Sequence, residues 1–280
     1  MSYVVFDIGG TKTRVAVTED LEKFTGQTSF KTPASFTEGV KKILEVVAKM
    51  AGDTEVEAFA GGIRGPLNEE KTGIENDSVL TNWAGKSLTE EIQKVYDVPV
   101  FLENDAAAAG LGEAVFGAGR GADIVAYHTV STGVGGAKIE DGEVDDATVG
   151  FEPGHQIIDV DRTILGDEVS PTLENVVSGT AIEQRFGVKP YEIPQSDVLW
   201  KELAEYLAQG LNNTIMYWSP EVIVLGGSMI LGDPKIEIDE IRKCTVEALD
   251  GFEEAPLITL AKLGDDAGLY GGMAMLKKRL

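Results

Sequence analysis

The sequence has 280 residues, of which 43% are hydrophobic, and a formal net charge of −23 at pH 7. This length and composition fit a soluble globular protein of two domains. The strong negative charge argues against nucleic acid and anionic membranes as partners, because both need a basic surface on the protein. No stretch reaches the ~20 consecutive apolar residues of a membrane span. Asp7 lies inside the first apolar run, so a signal peptide is not expected, and the one cysteine, Cys244, excludes an internal disulfide and favours the cytoplasm.

The first half of the chain begins with three β-strands and continues as alternating helices and strands. Strands are predicted at about 3–8, 13–18, 27–31, 56–60 and 98–102. An amphipathic helix follows the third strand, with apolar residues at helical spacing at Val40, Ile43, Leu44, Val47 and Ala48. A second helix is predicted at about 88–96. This order of elements indicates a mixed sheet flanked by helices.

The second half repeats this order of elements from Asp123 onwards. It has two or three strands, then predicted helices at about 173–186, 197–218 and 234–249, strands at 222–225 and 257–260, and a last helix from about Asp265. Such an internal duplication is typical of the two-domain α/β fold of the actin-like (ribonuclease-H-like) ATPases, with a cleft between the duplicated halves. We expect residues 1–103 and 265–280 to form the N-terminal α/β domain and residues 104–264 the C-terminal α/β domain.

A glycine-rich turn between two predicted strands occurs once in each half. The first turn reads Gly9-Gly10-Thr11-Lys12-Thr13-Arg14 and the second reads Ser131-Thr132-Gly133-Val134-Gly135-Gly136. Bare backbone N–H groups and a threonine hydroxyl form a concave anion site. One such turn alone is more often a plain hairpin, whereas two with matching polar residues predict a nucleotide triphosphate held between two related halves. In an acidic chain the phosphates also need local positive charge, which Lys12, Arg14 and a metal ion would supply.

A polar cluster, Glu103-Asn104-Asp105, follows the predicted strand at 98–102 and precedes an alanine-rich helix. Acids at a helix start commonly cap the helix by accepting from first-turn amides, which explains one of the two acids. At the carboxyl end of a strand, a carboxylate beside an amide could instead take a proton from a substrate hydroxyl. Both interpretations stay open on these residues alone.

A second polar cluster, Glu152-Pro153-Gly154-His155, contains one of the two histidines. Its proline and glycine predict a tight loop from which Glu152 and His155 could both contact one polar ligand. Glu174, at the start of a predicted helix, is either another ligand contact or a helix-start acid. The other histidine, His128, lies within an alternating strand, and a structural role is predicted for it.

In this order and spacing, these segments resemble those of the ROK family of sugar kinases, whose name stands for repressors, open reading frames and kinases. The resemblance covers nearly the whole chain. It also includes Gly65-Pro66, Leu111-Gly112-Glu113, the segment Leu225–Ser228 and the segment Leu263–Gly268. It implies the actin-like fold, with the last helix returning to the N-terminal domain, and it implies ATP and a hexose as substrates.

The resemblance also implies a role for each of the polar residues. Asp105 would be the general base on the 6-hydroxyl of the sugar, and Asp7 would hold Mg²⁺ through water. The hexose would lie against Gly65, Asn104, Asp105, Glu152, His155 and Glu174. The phosphates of ATP would lie against Gly9, Gly10, Thr11, Lys12, Arg14, Thr132, Gly133 and Gly135, and its adenosine near Gly226, Gly227 and Ser228.

The expected activity is ATP-dependent phosphorylation of a hexose, with glucose as the expected substrate. An N-acetylhexosamine, mannose or fructose kinase of the same family is an alternative, because these sugars present similar hydroxyl groups. A sugar-sensing regulator is an alternative of a different class. ROK repressors, however, carry an N-terminal DNA-binding segment, and here the first glycine turn begins within the first ten residues. A homodimer is one option for the oligomeric state.

Many ROK family members carry a cysteine-rich zinc site between the positions equivalent to His155 and Glu174. Residues 156–173 of this chain contain no cysteine, and Cys244 lies far from them in the sequence. A zinc site built from thiolates is therefore excluded, and no zinc is expected.

Overall fold

The computed structural model describes residues 1–145, 150–251 and 254–280. The chain forms two compact units, Met1–Gly117 with Asp265–Leu280, and Ala118–Gly264. The sequence placed the first domain boundary after residue 103, whereas the first unit extends to Gly117. The difference arises because the helix at 105–115 packs against the last helix of the chain.

The first unit is built on a mixed five-stranded sheet. Its strands are β1 (Ser2–Ile8), β2 (Lys12–Thr18), β3 (Phe24–Lys31), β4 (Val56–Ile63) and β5 (Val100–Asn104). Their order is β3-β2-β1-β4-β5, with antiparallel pairing between β1, β2 and β3 and parallel pairing between β1, β4 and β5. The carboxyl ends of β1, β4 and β5 therefore meet at one edge of the sheet, which is where α/β folds bind ligands.

Four helices complete the first unit: α1 (Phe36–Ala51), α2 (Leu88–Tyr96), α3 (Asp105–Val115) and α9 (Ala267–Arg279). The first of these, α1, begins at Ser35, whose side chain accepts from the N–H of Glu38. Its predicted apolar stripe faces the core of this unit, although Ala48 at the edge of the stripe is exposed.

The last helix, α9, approaches α3 very closely through glycines. A Cβ on Gly112 would lie 2.3 Å from the carbonyl oxygen of Ala267, and a Cβ on Gly271 would lie 1.8 Å from that of Ala108. Glycine at both positions lets the two backbones come this near. This packing holds the C-terminal helix in the first unit.

The second unit repeats the sheet of the first. Its strands are β6 (Ile124–Val130), β7 (Val134–Glu140), β8 (Glu143–Val144), β9 (Val222–Gly226) and β10 (Leu257–Leu260). Their order is β10-β9-β6-β7-β8, and β6 pairs antiparallel with β7 and parallel with β9, as β1 does with β2 and β4. The duplication predicted from the sequence is thus confirmed in the strand order.

The helices of the second unit are α4 (Leu173–Val177), α5 (Gly179–Phe186), α6 (Leu199–Trp218), α7 (Ser228–Leu231) and α8 (Ile238–Leu249). The single helix predicted over 173–186 is interrupted at Ser178, which has extended backbone and caps α5 by accepting from the N–H of Ala181. The helix predicted from 234 begins at Ile238. Among the described residues, none of the helices is long and apolar enough to span a membrane.

Candidate active site

The first glycine turn joins β1 to β2 and is held by a buried threonine. The N–H of Gly9 donates to the carbonyl of Lys12 at 3.0 Å. Thr32 donates its hydroxyl to the carbonyl of Gly9 (2.7 Å) and its N–H to the carbonyl of Thr11 (3.0 Å). In the described part of the chain, the N–H groups of Gly10 and Thr11 have no protein acceptor. Both amides are therefore available to an anion.

The two basic residues of this turn contact acidic side chains of the same unit. Arg14 donates from Nη1 to Oδ2 of Asp7 (3.2 Å) and from Nη2 to Asp265. Lys12 Nζ lies 3.9 Å from Asp265 Oδ2, and its side chain is 52% exposed. Both were predicted to contact phosphate. The structure places Arg14 against two carboxylates, so that it orients Asp7, and leaves the Lys12 ammonium accessible.

Asp7, the predicted magnesium residue, lies near the carboxyl edge of the first sheet, where it is repelled by the negative charge of Asp105. Burial, and next the negative charge of Asp105, raise the pKa of Asp7 to about 6, against the lowering effect of Arg14. Gly268 belongs to this arrangement, because a Cβ there would lie 2.8 Å from Cγ of Asp7. Carboxylates that are desolvated by burial and repel each other occur frequently at functional sites. A divalent cation relieves such repulsion.

The donor set at this edge fits Mg²⁺ better than a metal enclosed by protein ligands. Mg²⁺ usually keeps several waters and binds through one or two carboxylates together with substrate phosphates. Within residues 1–145, 150–251 and 254–280, no group of three or more histidine, cysteine or acidic side chains is placed to hold a metal ion. Asp7, oriented by Arg14, is suited to supply one carboxylate to a hydrated ion.

The cap of α3 is an amide rather than an acid. Asn104 Oδ1 accepts from the N–H groups of Ala106 (2.9 Å) and Ala107 (3.3 Å), and Asn104 Nδ2 donates to the carbonyl of Gly65 (3.2 Å). Asp105, the first residue of α3, accepts from the N–H of Ala106 at 2.9 Å. Desolvation raises the pKa of this partly buried Asp105 carboxyl above its ordinary value.

Glu103, the other acid of the cluster, is occupied by neighbouring groups. Its Oε2 lies 2.6 Å from Nζ of Lys71, and its Oε1 accepts from the N–H of Asn104 at 2.9 Å. Asp105 makes no ion pair within the described part of the chain. The side chain that caps α3 is therefore that of Asn104, and a role of Asp105 in the reaction stays a prediction.

The second glycine turn, between β6 and β7, is held by Glu174 and by the start of α5. The N–H of Ser131 donates to the carbonyl of Gly133 (2.8 Å), and the N–H of Gly179 donates to that of Ser131 (2.7 Å). Glu174 Oε2 accepts from the N–H of Val134 at 2.8 Å. A Cβ on Gly133 would lie 2.6 Å from this same oxygen, so glycine permits the approach. Glu174, predicted to contact the sugar, also fixes this turn.

Two further residues predicted to contact phosphate differ in their placement. Thr132 is exposed at the tip of the second turn, and its carbonyl accepts from the N–H of Thr180 at 3.2 Å. Gly135 lies within β7, opposite Thr129 of β6, rather than in the turn itself. The threonine hydroxyl is thus the more accessible group.

The segment Gly226–Ser228, predicted to lie near adenosine, follows β9 and borders the second turn. Gly227 has φ of +89°, and a Cβ on it would lie 2.2 Å from the carbonyl oxygen of Val130. Ser228, the first residue of α7, has its Oγ 3.0 Å from Oγ of Ser131. The structure therefore brings together the two nucleotide segments predicted for this unit.

The predicted polar cluster contains a short 3₁₀ helix, Pro153–His155, in which the N–H of His155 donates to the carbonyl of Glu152 at 3.0 Å. The segment is anchored beside β7, because a Cβ on Gly154 would lie 2.4 Å from the carbonyl oxygen of Val134. The side chains of Glu152 and His155 are exposed. Both are therefore accessible to a polar ligand.

His128 is a buried core residue. Its Nε2 lies 3.1 Å from Oγ1 of Thr214, and its ring packs near Trp218 with centroids 5.9 Å apart. Burial lowers the pKa of His128 to about 4, which keeps the ring neutral at pH 7. These contacts agree with the structural role predicted for it.

Sequence reasoning did not single out Arg64 and Asp77, which lie at the same edge of the first unit. Arg64 Nε donates to Asp77 Oδ2 at 3.1 Å, and Asp77 Oδ1 accepts from the N–H groups of Val79 (2.7 Å) and Leu80 (2.5 Å). An aspartate followed by serine is a signal for such a turn. No local pattern, however, connects this turn with Arg64.

The strand order and the site residues together define a class of protein. Two α/β units with the same strand order, each with a glycine turn between its first two strands, form an actin-like phosphotransferase fold. The profile of the ROK family matches residues 3–279, and the chain belongs to this family. It is a sugar kinase.

The similarity to characterised relatives extends over most of the chain. The glucokinase of Thermotoga maritima is 26% identical in an alignment 310 residues long, which covers 98% of this chain and 96% of that protein. The fructokinase of Lactococcus lactis subsp. cremoris is 27% identical over 263 residues, which cover 91% and 87%. The crystal structure of a ROK family glucokinase from Streptomyces griseus in complex with glucose and AMPPNP matches with a TM-score of 0.77 and 26% identity, covering 100% of both chains.

We predict that metal analysis of the purified, untagged protein will find zinc far below one ion per chain. The stretch between His155 and Glu174 has no thiolate to bind it. Because a structural zinc site contributes folding free energy, chelator treatment should leave the melting temperature unchanged. One zinc per chain, lost in a His155→Ala variant, would contradict this prediction.

Proposed function

We propose that this chain transfers the terminal phosphoryl group of ATP to the 6-hydroxyl of a hexose, with D-glucose as the preferred sugar. The observation that carries the proposal is Asp105, a carboxyl at the carboxyl end of β5, next to the capping amide of Asn104. Desolvation raises the pKa of Asp105, which brings the carboxyl closer to the range in which a general base works at neutral pH.

In the proposed reaction, the 6-oxygen of the sugar attacks the terminal phosphorus of ATP while the bond from that phosphorus to the bridging oxygen of ADP breaks. Asp105 accepts the proton that the 6-hydroxyl loses. In the first unit, the N–H groups of Gly10 and Thr11 and the ammonium of Lys12 bind phosphate oxygens. Mg²⁺ held by Asp7 would offset the charge of the phosphates when bound.

The second unit is proposed to contribute groups to both substrates. The hydroxyl of Thr132 would contact a phosphate, and the segment Gly226–Ser228 would contact adenosine. The exposed side chains of Glu152 and His155 would bind sugar hydroxyls. Glu174 uses Oε2 for the N–H of Val134, so its Oε1 remains for the sugar. In this arrangement, Glu174 would link the sugar to the turn that binds phosphate.

The choice of glucose is supported by the all-polar set Glu152, His155 and Glu174, which suits vicinal hydroxyls better than an acetamido group. It is also supported by the glucokinases among the relatives. Fructose is the main rival, because the fructokinase of L. lactis is as similar in sequence as the glucokinase of T. maritima.

The test is a panel of D-glucose, D-mannose, D-fructose, N-acetylglucosamine and N-acetylmannosamine with ATP and Mg²⁺, in which a coupled assay measures ADP release. We expect the highest kcat/KM for D-glucose. A clearly higher value for another sugar would replace glucose and leave the kinase activity in place. If no sugar is phosphorylated while calorimetry detects glucose binding, the protein is a sugar-sensing regulator instead.

A further inference from the structure

Arg64 lies beside the first glycine turn, at the end of β4. The backbone N–H of Arg64 donates to the carbonyl of Ile8 at 2.9 Å. This hydrogen bond continues the β1–β4 pairing by one residue and fixes the Arg64 backbone next to the turn. A Cβ on Gly10 would lie 3.3 Å from Cδ of Arg64, so the side chain runs along the tip of the turn. The carbonyl of the following residue, Gly65, accepts a hydrogen bond from the side-chain amide of Asn104, the neighbour of the candidate base.

One edge of the Arg64 guanidinium is fixed and the other is unpaired. Nε is held by Asp77, whose side chain is 7% exposed and is itself fixed by two backbone N–H groups. Throughout the described residues, Nη1 and Nη2 of Arg64 meet no acceptor, and the side chain is 38% exposed. Arg14 differs, because both of its Nη groups contact carboxylates. Arg64 is thus an oriented cation with two donors left for a ligand.

The positive charge of Arg64 also acts on Asp105. It favours the ionised carboxylate and so lowers the pKa of Asp105 against the larger, raising effect of desolvation. An anion bound by Arg64 would therefore lie close to the candidate base and to the free amides of Gly10 and Thr11. In a kinase, the group that must reach this place is the phosphoryl group in transfer.

We propose that the Nη groups of Arg64 bind the phosphoryl group as it moves from ATP to the sugar. This inference rests on the kinase function proposed above. During transfer, the 6-oxygen bonds to phosphorus, the bond to ADP breaks and the proton goes to Asp105, while Arg64 stays protonated throughout. During transfer, negative charge is spread over the three equatorial oxygens of the phosphoryl group, and catalysis requires that this charge be neutralised. The planar guanidinium of Arg64 can bind two of these oxygens at once.

The experiment compares Arg64→Met, which removes the charge at similar length, with Arg64→Lys and with Arg120→Met at an exposed arginine of the second unit. Calorimetry with Mg²⁺ measures the affinities for ATP and for ADP, and a steady-state assay with the best sugar of the panel measures kcat. For Arg64→Met we expect ATP affinity about tenfold lower, unchanged ADP affinity, and kcat about 10²–10³-fold lower. Arg64→Lys should recover part of the ATP affinity, and Arg120→Met should match the wild type.

Asp77→Asn separates phosphoryl binding from a role of Arg64 in holding the 77–80 turn. The new asparagine side chain can still accept from the N–H groups of Val79 and Leu80, but the ion pair with Arg64 is lost. Because Arg64 itself is unchanged in this variant, the protein should keep its preference for ATP over ADP. If Arg64→Met is folded and keeps both this preference and kcat, or loses ATP and ADP affinity equally, the inference is wrong. If the wild type phosphorylates no sugar, the proposed function fails, and the comparison of ATP with ADP still tests Arg64.

Discussion

Replacing Asp105 with asparagine is expected to lower kcat by about 10²–10⁴-fold, the usual contribution of a general base. Asparagine keeps the size of the side chain and can still accept from the N–H of Ala106, which lies 2.9 Å from Asp105 Oδ1. It cannot accept the proton of the sugar hydroxyl. Because the amide can still hydrogen-bond that hydroxyl, calorimetry should show a sugar affinity close to that of the wild type.

Two neighbouring substitutions serve as controls for Asp105→Asn. Glu103→Gln weakens the ion pair with Lys71 and should keep most of the activity. Asn104→Ala removes the cap of α3 and the bond to Gly65, so it should weaken sugar binding and lower stability by about 1 kcal/mol. If Asp105→Asn keeps near-wild-type kcat at an unchanged melting temperature, Asp105 is a residue of the helix start and not the base.

The same assignment fixes the direction of the pH dependence. A base works when it is deprotonated, so activity should fall as pH is lowered. Desolvation raises the pKa of Asp105, so this fall should begin at a higher pH than for an ordinary aspartate, whose pKa is ~3.9. Asp7, whose pKa burial raises to about 6, must also be ionised to hold Mg²⁺ as proposed. In a profile of kcat against pH, the residual activity of Asp105→Asn should therefore lose the contribution of Asp105 to the acid limb and keep that of Asp7.

The features that the sequence predicted correctly depend on local patterns. The helical spacing of Val40, Ile43 and Val47 predicts α1, and all three are buried in it. The two glycine turns, each between short apolar runs, predict the duplicated hairpins, because turn chemistry and strand alternation act over a few residues. From these local features, together with their order, the actin-like fold follows.

The features that the sequence could not predict depend on partners far along the chain. Arg14 pairs with Asp265, 251 residues away, and no local pattern predicts this ion pair. The first unit ends at Gly117 because α3 packs against α9, a contact between distant segments. Ser178 interrupts the segment 173–186, for which periodicity alone predicts one helix, because its side chain caps α5 instead.

A second large effect is expected from Gly271→Ala, in the packing of α9 on α3. The new Cβ would lie 1.8 Å from the carbonyl oxygen of Ala108 and 2.5 Å from its carbonyl carbon. Because this obstacle is backbone, a change of rotamer cannot relieve the overlap, and the helices must separate. Overpacking of this kind costs about 3 kcal/mol. At about 2–4 °C per kcal/mol, the melting temperature should fall clearly in a thermal unfolding experiment.

Gly26→Ala is the matched control for Gly271→Ala in the same unit, because its nearest neighbour would be Cε of Met50 at 3.4 Å, the end of a flexible side chain. It should leave the melting temperature nearly unchanged. Helix propensity alone would make alanine at 271 stabilising by about 1 kcal/mol, so the sign of the change isolates the packing. Since Gly268 of α9 lies against Asp7, a displaced helix should also lower kcat in the protein that remains folded. A Gly271→Ala variant as stable as the wild type would mean that α9 does not pack this closely on α3.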